Sequence, residues 1–277
     1  MGLPYAEVIG DPIDHSKSPL IHRFWLGKLG LNGDYRAVRV GRSELSAYLR
    51  SRRSDIWWRG CNVTAPLKEA TAGLVDSPAG LCRFVGAINC IARTPLACLY
   101  GTNTDIAGVA EALRDTEFDG AVVCLIGNGG AARSVLCHLY GKPIQSLRIL
   151  ARDRRKTETL TEGFGVPVEV MGINNALAAM RGASIIVNAT PLGMNGKPAM
   201  IPDVIEGLAH VGPDATIFDT IYAPLETELL AKARKAGLRA LDGLSMLVGQ
   251  AAPSFELFFG APAPREHDAE LRELLAQ

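Results

Sequence analysis

The sequence lacks any imbalance of charge, because 29 lysines and arginines are matched by 29 aspartates and glutamates. No overall field therefore draws the chain to nucleic acid or to an anionic membrane. It also lacks an apolar run approaching the ~20 residues of a membrane helix, and it has no internal repeat or low-complexity tract. What is present is a globular balance, 48% apolar and 21% charged over 277 residues, enough for one large domain or two ordinary ones.

The six cysteines include no Cys-x-x-Cys pair and no zinc-like grouping with histidine. Several lie in apolar runs, as Cys124 does in AVVCLIG, which indicates small buried side chains in a reducing compartment. The N-terminus MGLPYAEVIG has neither a basic start nor an apolar signal core, and Ala6 breaks the myristoylation pattern. We therefore expect a cytoplasmic protein.

The first third alternates short apolar runs with helical patterns. YAEVIG, DYRAVRV and GCNVT are typical of strands, while GAINCIAR and LACLYG suit a pair of strands. Ser18 is a good N-cap with Pro19 at the first helical position, and Gly30 ends that helix. Pro66 is expected to start another helix.

A second series begins near residue 105. Strands are predicted at AVVCLIG, SLRILAR, ASIIVNAT, ATIFDT and LRAL, with helices between most of them. Strands that alternate with helices favour an α/β fold with a parallel, doubly wound sheet. The tail returns to helix in SMLVGQAAPSFELFFG and DAELRELLAQ.

A glycine-rich loop lies between the predicted strand AVVCLIG and the next helix. It fits the pattern G-x-G-x-x-A, with glycines for a tight turn and close approach to a pyrophosphate and a small residue for packing. The helix N-terminus adds free N–H groups and a positive dipole end. The alternative is an ordinary tight turn. The candidate cofactor-binding residues are Gly127, Asn128, Gly129, Gly130 and Ala131.

Cations follow the next strand, at the place where such folds recognise the ribose. Arg152 lies 152 − 127 = 25 positions after the first loop glycine, where an NAD enzyme has a carboxylate for the 2′-hydroxyl. Arg154 and Lys156 follow, and guanidinium groups suit a 2′-phosphate. Asp153 lies among them, and a solvated charged loop is the alternative. The sequence favours NADP as cofactor.

Seven motifs occur in order: IDHSKSP, NVTAPLKEA, GAINC, GTNTD, NAT, DTIYAP and DGLSMLVGQA. Together the chain resembles the shikimate dehydrogenase family, NADP-dependent enzymes of aromatic amino-acid biosynthesis, over nearly all residues from Tyr5 to Gly260. The resemblance implies two domains with the active site in the cleft between them. It places an N-terminal α/β substrate domain at residues 1–104, completed by C-terminal helices at 242–277, and a Rossmann-type NADP-binding domain at 105–241.

The resemblance also implies a substrate-binding set. Ser16 and Ser18 match hydroxyls that hold the substrate carboxylate, and Tyr222 matches a third donor to it. Residues matching those that hydrogen-bond the ring hydroxyls are Thr64, Asn89, Asp105 and Gln250. The alternatives are that Ser18 is only a helix cap, that Tyr222 only packs, and that the amides and hydroxyls satisfy loop backbone.

Lys68 and Asp105 match the catalytic pair of the family. Reduction of a ketone by hydride leaves an alkoxide that must take a proton, and the reverse reaction needs a base. We assign this proton transfer to Lys68, with Asp105 orienting the reacting hydroxyl and holding the lysine. The alternative for Lys68 is an exposed lysine in a first helical turn, where cations are disfavoured.

The remaining residues carried over by the resemblance concern the cofactor. Gly243 and Met246 match positions near the nicotinamide, although methionine there could equally fill the core. Ala189 and Thr190 match a loop that borders the cofactor. The chain departs from the family pattern in three motifs: NVTAPLK stands where the family has NVTVPFK, so that Leu67 replaces an aromatic residue, Asn128 replaces a small residue and Ser245 a glycine.

The predicted activity is reversible NADPH-dependent reduction of 3-dehydroshikimate to shikimate. A quinate/shikimate or aminoshikimate dehydrogenase is the close alternative. A non-catalytic sensor of pathway metabolites is the alternative from another class, and the presence of Lys68 and Asp105 speaks against it. We expect a small-molecule substrate and a monomer or homodimer.

Overall fold

Each half of the molecule is built on its own sheet. The computed structural model describes residues 2–80 and 85–277, and the chain divides into one unit of Met1–Gly108 with Leu247–Gln277 and a second of Val109–Met246. The expected domain limits, 1–104 with 242–277 against 105–241, stay a prediction. Among the helices of the described segments, none combines the length and apolar character needed to cross a bilayer.

The first unit contains a mixed sheet with the order β2-β1-β3-β5-β6-β4. β1 runs parallel to both neighbours, whereas β5 is antiparallel to β3 and to β6. The predicted pairing of GAINCIAR with LACLYG corresponds to β5 and β6. The strands are β1 Tyr5–Gly10, β2 Asp34–Arg39, β3 Trp58–Val63, β4 Ser77–Pro78, β5 Cys90–Arg93 and β6 Leu99–Thr102.

Helices cover this sheet and connect it to the rest of the chain. Asp105–Ala112 and Leu244–Phe259 are the helices at which the chain passes between the two units. The others described in this unit are Ser18–Leu29, Leu45–Arg53, Lys68–Thr71 and Asp268–Ala276, with a 3₁₀ turn at Arg265–His267.

The second unit contains an all-parallel sheet with the order β12-β11-β10-β7-β8-β9. The order reverses beside β7, and in such sheets ligands bind outside the carboxyl ends of the strands at this switch point. This confirms the predicted doubly wound sheet. Its strands are β7 Val122–Ile126, β8 Ser146–Leu150, β9 Val168–Met171, β10 Ile185–Asn188, β11 Thr216–Asp219 and β12 Arg239–Leu241.

Both faces of the second sheet are buried, as a parallel sheet requires. Along β7, Val123 and Leu125 enter one core cluster, while Cys124 and Ile126 enter the other. Cys124 is fully buried, in keeping with its apolar run. The covering helices are Gly130–Leu139, Arg154–Leu160, Ala176–Met180, Pro202–Gly207 and Glu228–Lys235, with 3₁₀ turns at Ile173–Asn175 and Leu208–His210.

Two helix starts differ from expectation. Ser18 is the first helical residue and not the N-cap; Lys17 occupies the cap without a side-chain hydrogen bond, and Pro19 follows at the second position. Ser16 instead accepts a hydrogen bond at Oγ from the backbone N–H of Ser18, at 3.3 Å. Pro66 starts no helix, because a turn closed by the N–H of Leu67 on the carbonyl of Thr64 (2.9 Å) precedes the helix that begins at Lys68.

Two glycines of the first unit provide a matched test of its packing. We expect Gly60→Ala to lower the free energy of unfolding by ~1–3 kcal/mol or more, because overpacking carries a cost of that size. A Cβ there would lie 2.2 Å from the carbonyl oxygen of Ile91 and 2.6 Å from Phe258, at φ +154°. Gly27 lies in the helix Ser18–Leu29, and a Cβ added to it would meet no atom within 4 Å. Gly27→Ala should therefore raise the free energy of unfolding by ~0.5–1 kcal/mol.

Urea unfolding of both variants beside the wild type measures this difference. Equal unfolding midpoints for the two variants would contradict the close approach at Gly60.

Candidate active site

Lys68 and Asp105 form an ion pair in the first unit. Lys68 begins the short helix after β3, and Asp105 begins the helix after β6. The distance from Lys68 Nζ to Asp105 Oδ2 is 2.5 Å, and the side chains are 19% and 7% exposed. The carboxylate is therefore shielded, while the lysine side chain stays partly exposed, which is what a residue that exchanges protons with a ligand requires.

Asn89 fixes the orientation of the Asp105 carboxylate. Its Nδ2 donates to Asp105 Oδ1 at 2.8 Å and to Thr104 Oγ1 at 3.1 Å. Its Oδ1 accepts from the backbone N–H of Thr104 at 2.6 Å. One carboxylate oxygen thus faces Asn89 and the other faces Lys68, so the pair is held in a single geometry.

A buried hydrogen-bond network, which the sequence does not predict, lies behind Asn89. Thr104 Oγ1 and Ser254 Oγ lie 3.1 Å apart, and Asn62 Nδ2 donates to Ser254 Oγ at 2.8 Å. Tyr35 donates its hydroxyl to Asn62 Oδ1 at 2.6 Å. Burial raises the pKa of Tyr35 well above its ordinary value, so the phenol stays a neutral donor.

His22 closes the network on its apolar side. Its ring stacks on Tyr35 with centroids 3.9 Å apart and the planes 5° from parallel. Complete burial lowers the pKa of His22 to about 3, so the imidazole is neutral at physiological pH. His22 is therefore a packing residue and is not a candidate for proton transfer.

Among the described residues, the side chains of the other predicted substrate residues of the first unit make no hydrogen bond to this network, although the backbone carbonyl of Gln250 accepts from Ser254 Oγ at 3.2 Å. Ser18 is buried and is the first helical residue, with Lys17 as the cap, so the alternative that Ser18 is only a helix cap is wrong. Ser16 and Thr64 are partly exposed. Gln250 is 8% exposed, and its Nε2 donates to the carbonyl of Leu247 at 2.8 Å. Their roles toward a substrate stay predictions.

Tyr222 belongs to the second unit, in the loop after β11. Burial raises the pKa of its hydroxyl, which keeps the phenol in its neutral, donating form. A neutral phenol suits the predicted contact with a carboxylate, and that contact stays a prediction.

The glycine-rich loop has the shape that a dinucleotide needs. Gly127 has φ +111°, and a Cβ there would lie 2.8 Å from Thr190 Cγ2 and 3.1 Å from the carbonyl oxygen of Ala189. At Gly129 a Cβ would meet no atom within 4 Å, so the loop is open on that side. The helix Gly130–Leu139 begins with no side-chain cap, which leaves its first N–H groups for an anion.

The basic loop after β8 presents its cations to solvent. Arg152, Arg154 and Lys156 are exposed, as a site for a 2′-phosphate requires. The carboxylate of Asp153, which the sequence left as a complication, caps the following helix by accepting from the N–H of Lys156 at 3.1 Å. These loops therefore fit an NADP-type cofactor.

The predicted residues near the nicotinamide occupy restricted positions. A Cβ on Gly243 would lie 2.3 Å from the carbonyl oxygen of Thr220, so glycine is required there by close packing. Met246 is 8% exposed and belongs to a core cluster of the second unit. Core packing therefore accounts for Met246, and its predicted contact with the cofactor stays a prediction.

Asn188 and Asp219 hold the loops after β10 and β11 together, and Asp219 was also missed from the sequence. Asn188 Oδ1 accepts from the N–H of Thr190 at 3.0 Å and from its hydroxyl at 2.7 Å. Asn188 Nδ2 donates to Asp219 Oδ1 at 3.0 Å, and Thr227 donates to Oδ2 at 2.8 Å. Burial raises the pKa of Asp219 from 3.8 to about 6, and these hydrogen bonds oppose the rise only in part.

The raised pKa of Asp219 predicts a pH-dependent stability. Between pH 3.8 and about 6 the folded protein keeps a proton on Asp219 that the unfolded chain has released. The contribution of this group to the free energy of unfolding therefore falls as the pH rises through that window, by about 3 kcal/mol at 1.36 kcal/mol per pKa unit. Asp219→Asn cannot titrate, so the difference in stability between wild type and variant should fall over this window and stay level above it.

Urea unfolding at several pH values measures this difference. Asp214→Asn, which removes an exposed carboxylate from the same unit, is the control. Parallel profiles for the wild type and Asp219→Asn would contradict the assignment.

Comparison with known proteins agrees with this arrangement. The family model for the shikimate dehydrogenase substrate binding domain matches residues 8–91, that for shikimate / quinate 5-dehydrogenase residues 109–193, and that for the shikimate 5′-dehydrogenase C-terminal domain residues 243–270. Shikimate dehydrogenase (NADP(+)) of Sphingopyxis alaskensis is 47% identical over 272 residues, covering 98% of this chain and 97% of the relative.

Two solved structures show the same fold over almost the whole chain. Shikimate 5-dehydrogenase of Thermus thermophilus, in complex with NADP(H) and shikimate, has a TM-score of 0.84 at 29% identity and covers 99% of this chain and 100% of its own. The Listeria monocytogenes enzyme, in complex with shikimate and NAD, has a TM-score of 0.86 at 26% identity, with coverage of 99% and 96%. The predicted fold and NADP-dependent oxidoreductase class are thereby confirmed, and the chain belongs to the shikimate dehydrogenase (NADP(+)) family.

Proposed function

We propose that this chain interconverts 3-dehydroshikimate and shikimate, with Lys68 as the group that transfers the proton. The observation that carries the proposal is the Lys68–Asp105 pair, 2.5 Å apart and shielded on the carboxylate side. NADPH, when bound, supplies the hydride, and the open glycine loop and exposed arginines are the residues that would hold it.

Lys68 completes the reduction by giving its ammonium proton to the oxygen that becomes the hydroxyl of the product. In the oxidation of shikimate the neutral amine takes the same proton back. Because Lys68 remains partly exposed, it can exchange protons with solvent between turnovers. Asp105 accepts from the ammonium group and orients the reacting hydroxyl.

Asn89 acts on this chemistry through Asp105, and its predicted hydrogen bond to a ring hydroxyl of the substrate stays part of the proposal. Its amide nitrogen donates to Asp105 Oδ1 and to Thr104 Oγ1, and its amide oxygen accepts from the backbone N–H of Thr104. We propose that Ser16, Ser18 and Tyr222 receive the substrate carboxylate, and that Thr64 and Gln250 contact the ring hydroxyls. Ser18 has no capping role that would compete with this, because Lys17 occupies the cap of the helix.

The substrate and cofactor preference is tested by following absorbance of the reduced nicotinamide. Shikimate and quinate are each combined with NADP⁺ and with NAD⁺. We expect shikimate with NADP⁺ to give the highest kcat/KM, because the basic loop after β8 suits a 2′-phosphate. Equal or higher kcat/KM with quinate would favour the quinate/shikimate alternative.

Substitution of the proposed proton donor tests the mechanism. We expect Lys68→Ala to lower kcat by ~10²–10⁴, the usual contribution of positioned proton transfer, while the Kd for shikimate changes little. Lys28→Ala is the matched control, because Lys28 also forms an ion pair, with Glu270 at 2.6 Å, on the surface of the same unit. Near-normal turnover in Lys68→Ala, or an equal loss in Lys28→Ala, would contradict the assignment.

We expect a monomer or homodimer, which light scattering coupled to size-exclusion chromatography measures directly, and a cytoplasmic location.

A further inference from the structure

Two loops that leave neighbouring strands form the dinucleotide site of the second unit. Ile126 at the end of β7 pairs in register with Leu150 at the end of β8, so the loops after them start side by side. The N–H of Gly127 donates to the carbonyl of Leu150 at 2.9 Å. In this fold the first loop meets the pyrophosphate and the second recognises the 2′-position of the ribose.

The side chain of Asn128 joins these loops. Its Nδ2 donates to the backbone carbonyl of Asp153 at 3.2 Å and to Thr157 Oγ1 at 2.9 Å. Thr157 is fully buried, and its hydroxyl in turn donates to the same Asp153 carbonyl at 2.7 Å. The three residues form a closed triangle of hydrogen bonds across 25 residues of sequence separation.

This triangle fixes the residue on which the basic loop is centred. Asp153 is held at its carbonyl by Asn128 and Thr157 and at its carboxylate by the N–H of Lys156. Arg152 and Arg154 flank it on either side and are exposed. Their side chains therefore start from a fixed backbone, and the one carboxylate of the loop is kept engaged in the helix cap.

Release of this restraint would act on a single chemical group of the cofactor. A carboxylate that leaves the cap can repel a 2′-phosphate, or accept a hydrogen bond from a 2′-hydroxyl as in NAD enzymes. Without the restraint the arginine side chains would lose their fixed starting positions. Cofactor binding would then have to order them, and this entropic cost lowers the affinity for the cofactor. We expect a smaller effect on a cofactor fragment that lacks the 2′-phosphate, because both effects act through the loop that recognises the 2′-position.

We propose that Asn128 is a positioning residue that sets the preference for NADP over NAD, by holding the basic loop through Asp153 and Thr157. This inference rests on the cofactor loops alone and is independent of the role of Lys68.

The test uses cofactor fragments, so that no turnover is needed. Titration calorimetry on the full-length protein measures the Kd of 2′,5′-ADP, which carries the 2′-phosphate, and of 5′-AMP, which lacks it. We expect Asn128→Ala to raise the Kd of 2′,5′-ADP about 3–10-fold, as for loss of one net hydrogen bond, and to leave that of 5′-AMP within about twofold. The KM for NADP⁺ should rise in parallel.

A second variant keeps the test independent of the folding of the first. Thr157→Val removes the hydroxyl at nearly constant volume and should weaken 2′,5′-ADP in the same selective way, whereas Thr157→Ser should restore it. Asn174→Ala, which removes an exposed amide from the same unit, is the control. Unchanged affinity for both fragments, or an equal loss for both, would overturn the proposal.

Discussion

The contact between the Lys68 ammonium and the Asp105 carboxylate is the interaction on which the hydrogen bonding in the first unit depends. Removing a carboxylate from water is costly unless each oxygen finds a partner, and a cation alone satisfies only one of them. Asn89 supplies the second partner, at 2.8 Å from Oδ1. The geometry of the pair therefore depends as much on the placement of one amide as on the attraction between charges.

That amide is placed by segments that are remote in sequence. Asn62, on β3, and Ser254, in the helix Leu244–Phe259, are 192 residues apart and hydrogen-bonded at 2.8 Å. Tyr35, from the edge strand β2, donates its hydroxyl to the amide oxygen of Asn62. Buried polar groups that are all paired define a single arrangement, whereas a half-satisfied network would not. The consequence of burying this network is that Asp105 faces Lys68 in one fixed direction.

Features with a local signal could be predicted from the sequence, and features set by distant partners could not. The glycine loop, the alternation of strands and helices, and the end of the first helix at Gly30 each depend on a few neighbouring residues. The predicted start of that helix is wrong by one residue, because Lys17 and not Ser18 occupies the cap, and it does so without a side-chain hydrogen bond that a sequence pattern could indicate. The edge strand Val168–Met171 was missed because four residues give too short an alternation.

The site residues that the sequence did not reveal also differ in whether they have a local signal or depend on distant partners. Thr104 lies within the motif GTNTD beside Asp105, so the motif itself was a signal that could have identified it. Ser254 has no such signal, since its partners Asn62 and Thr104 come from other parts of the chain. Asp219 ends a buried strand, and a carboxylate in that position is costly without partners. Its cost was readable from the sequence, but its neutral partners Asn188 and Thr227 were not.

In the second unit a buried carboxylate is likewise held in place, here by neutral partners. Asp219 holds Asn188, Asn188 holds Thr190, and Thr190 packs against Gly127 so closely that a Cβ would lie 2.8 Å away. On the other side of the glycine loop, Asn128 reaches the loop after β8. The loops after four adjacent strands are thus linked by side chains before any cofactor arrives. Loops ordered in advance lose less conformational entropy on binding, so more of the contact energy remains for affinity and for discrimination at the 2′-position.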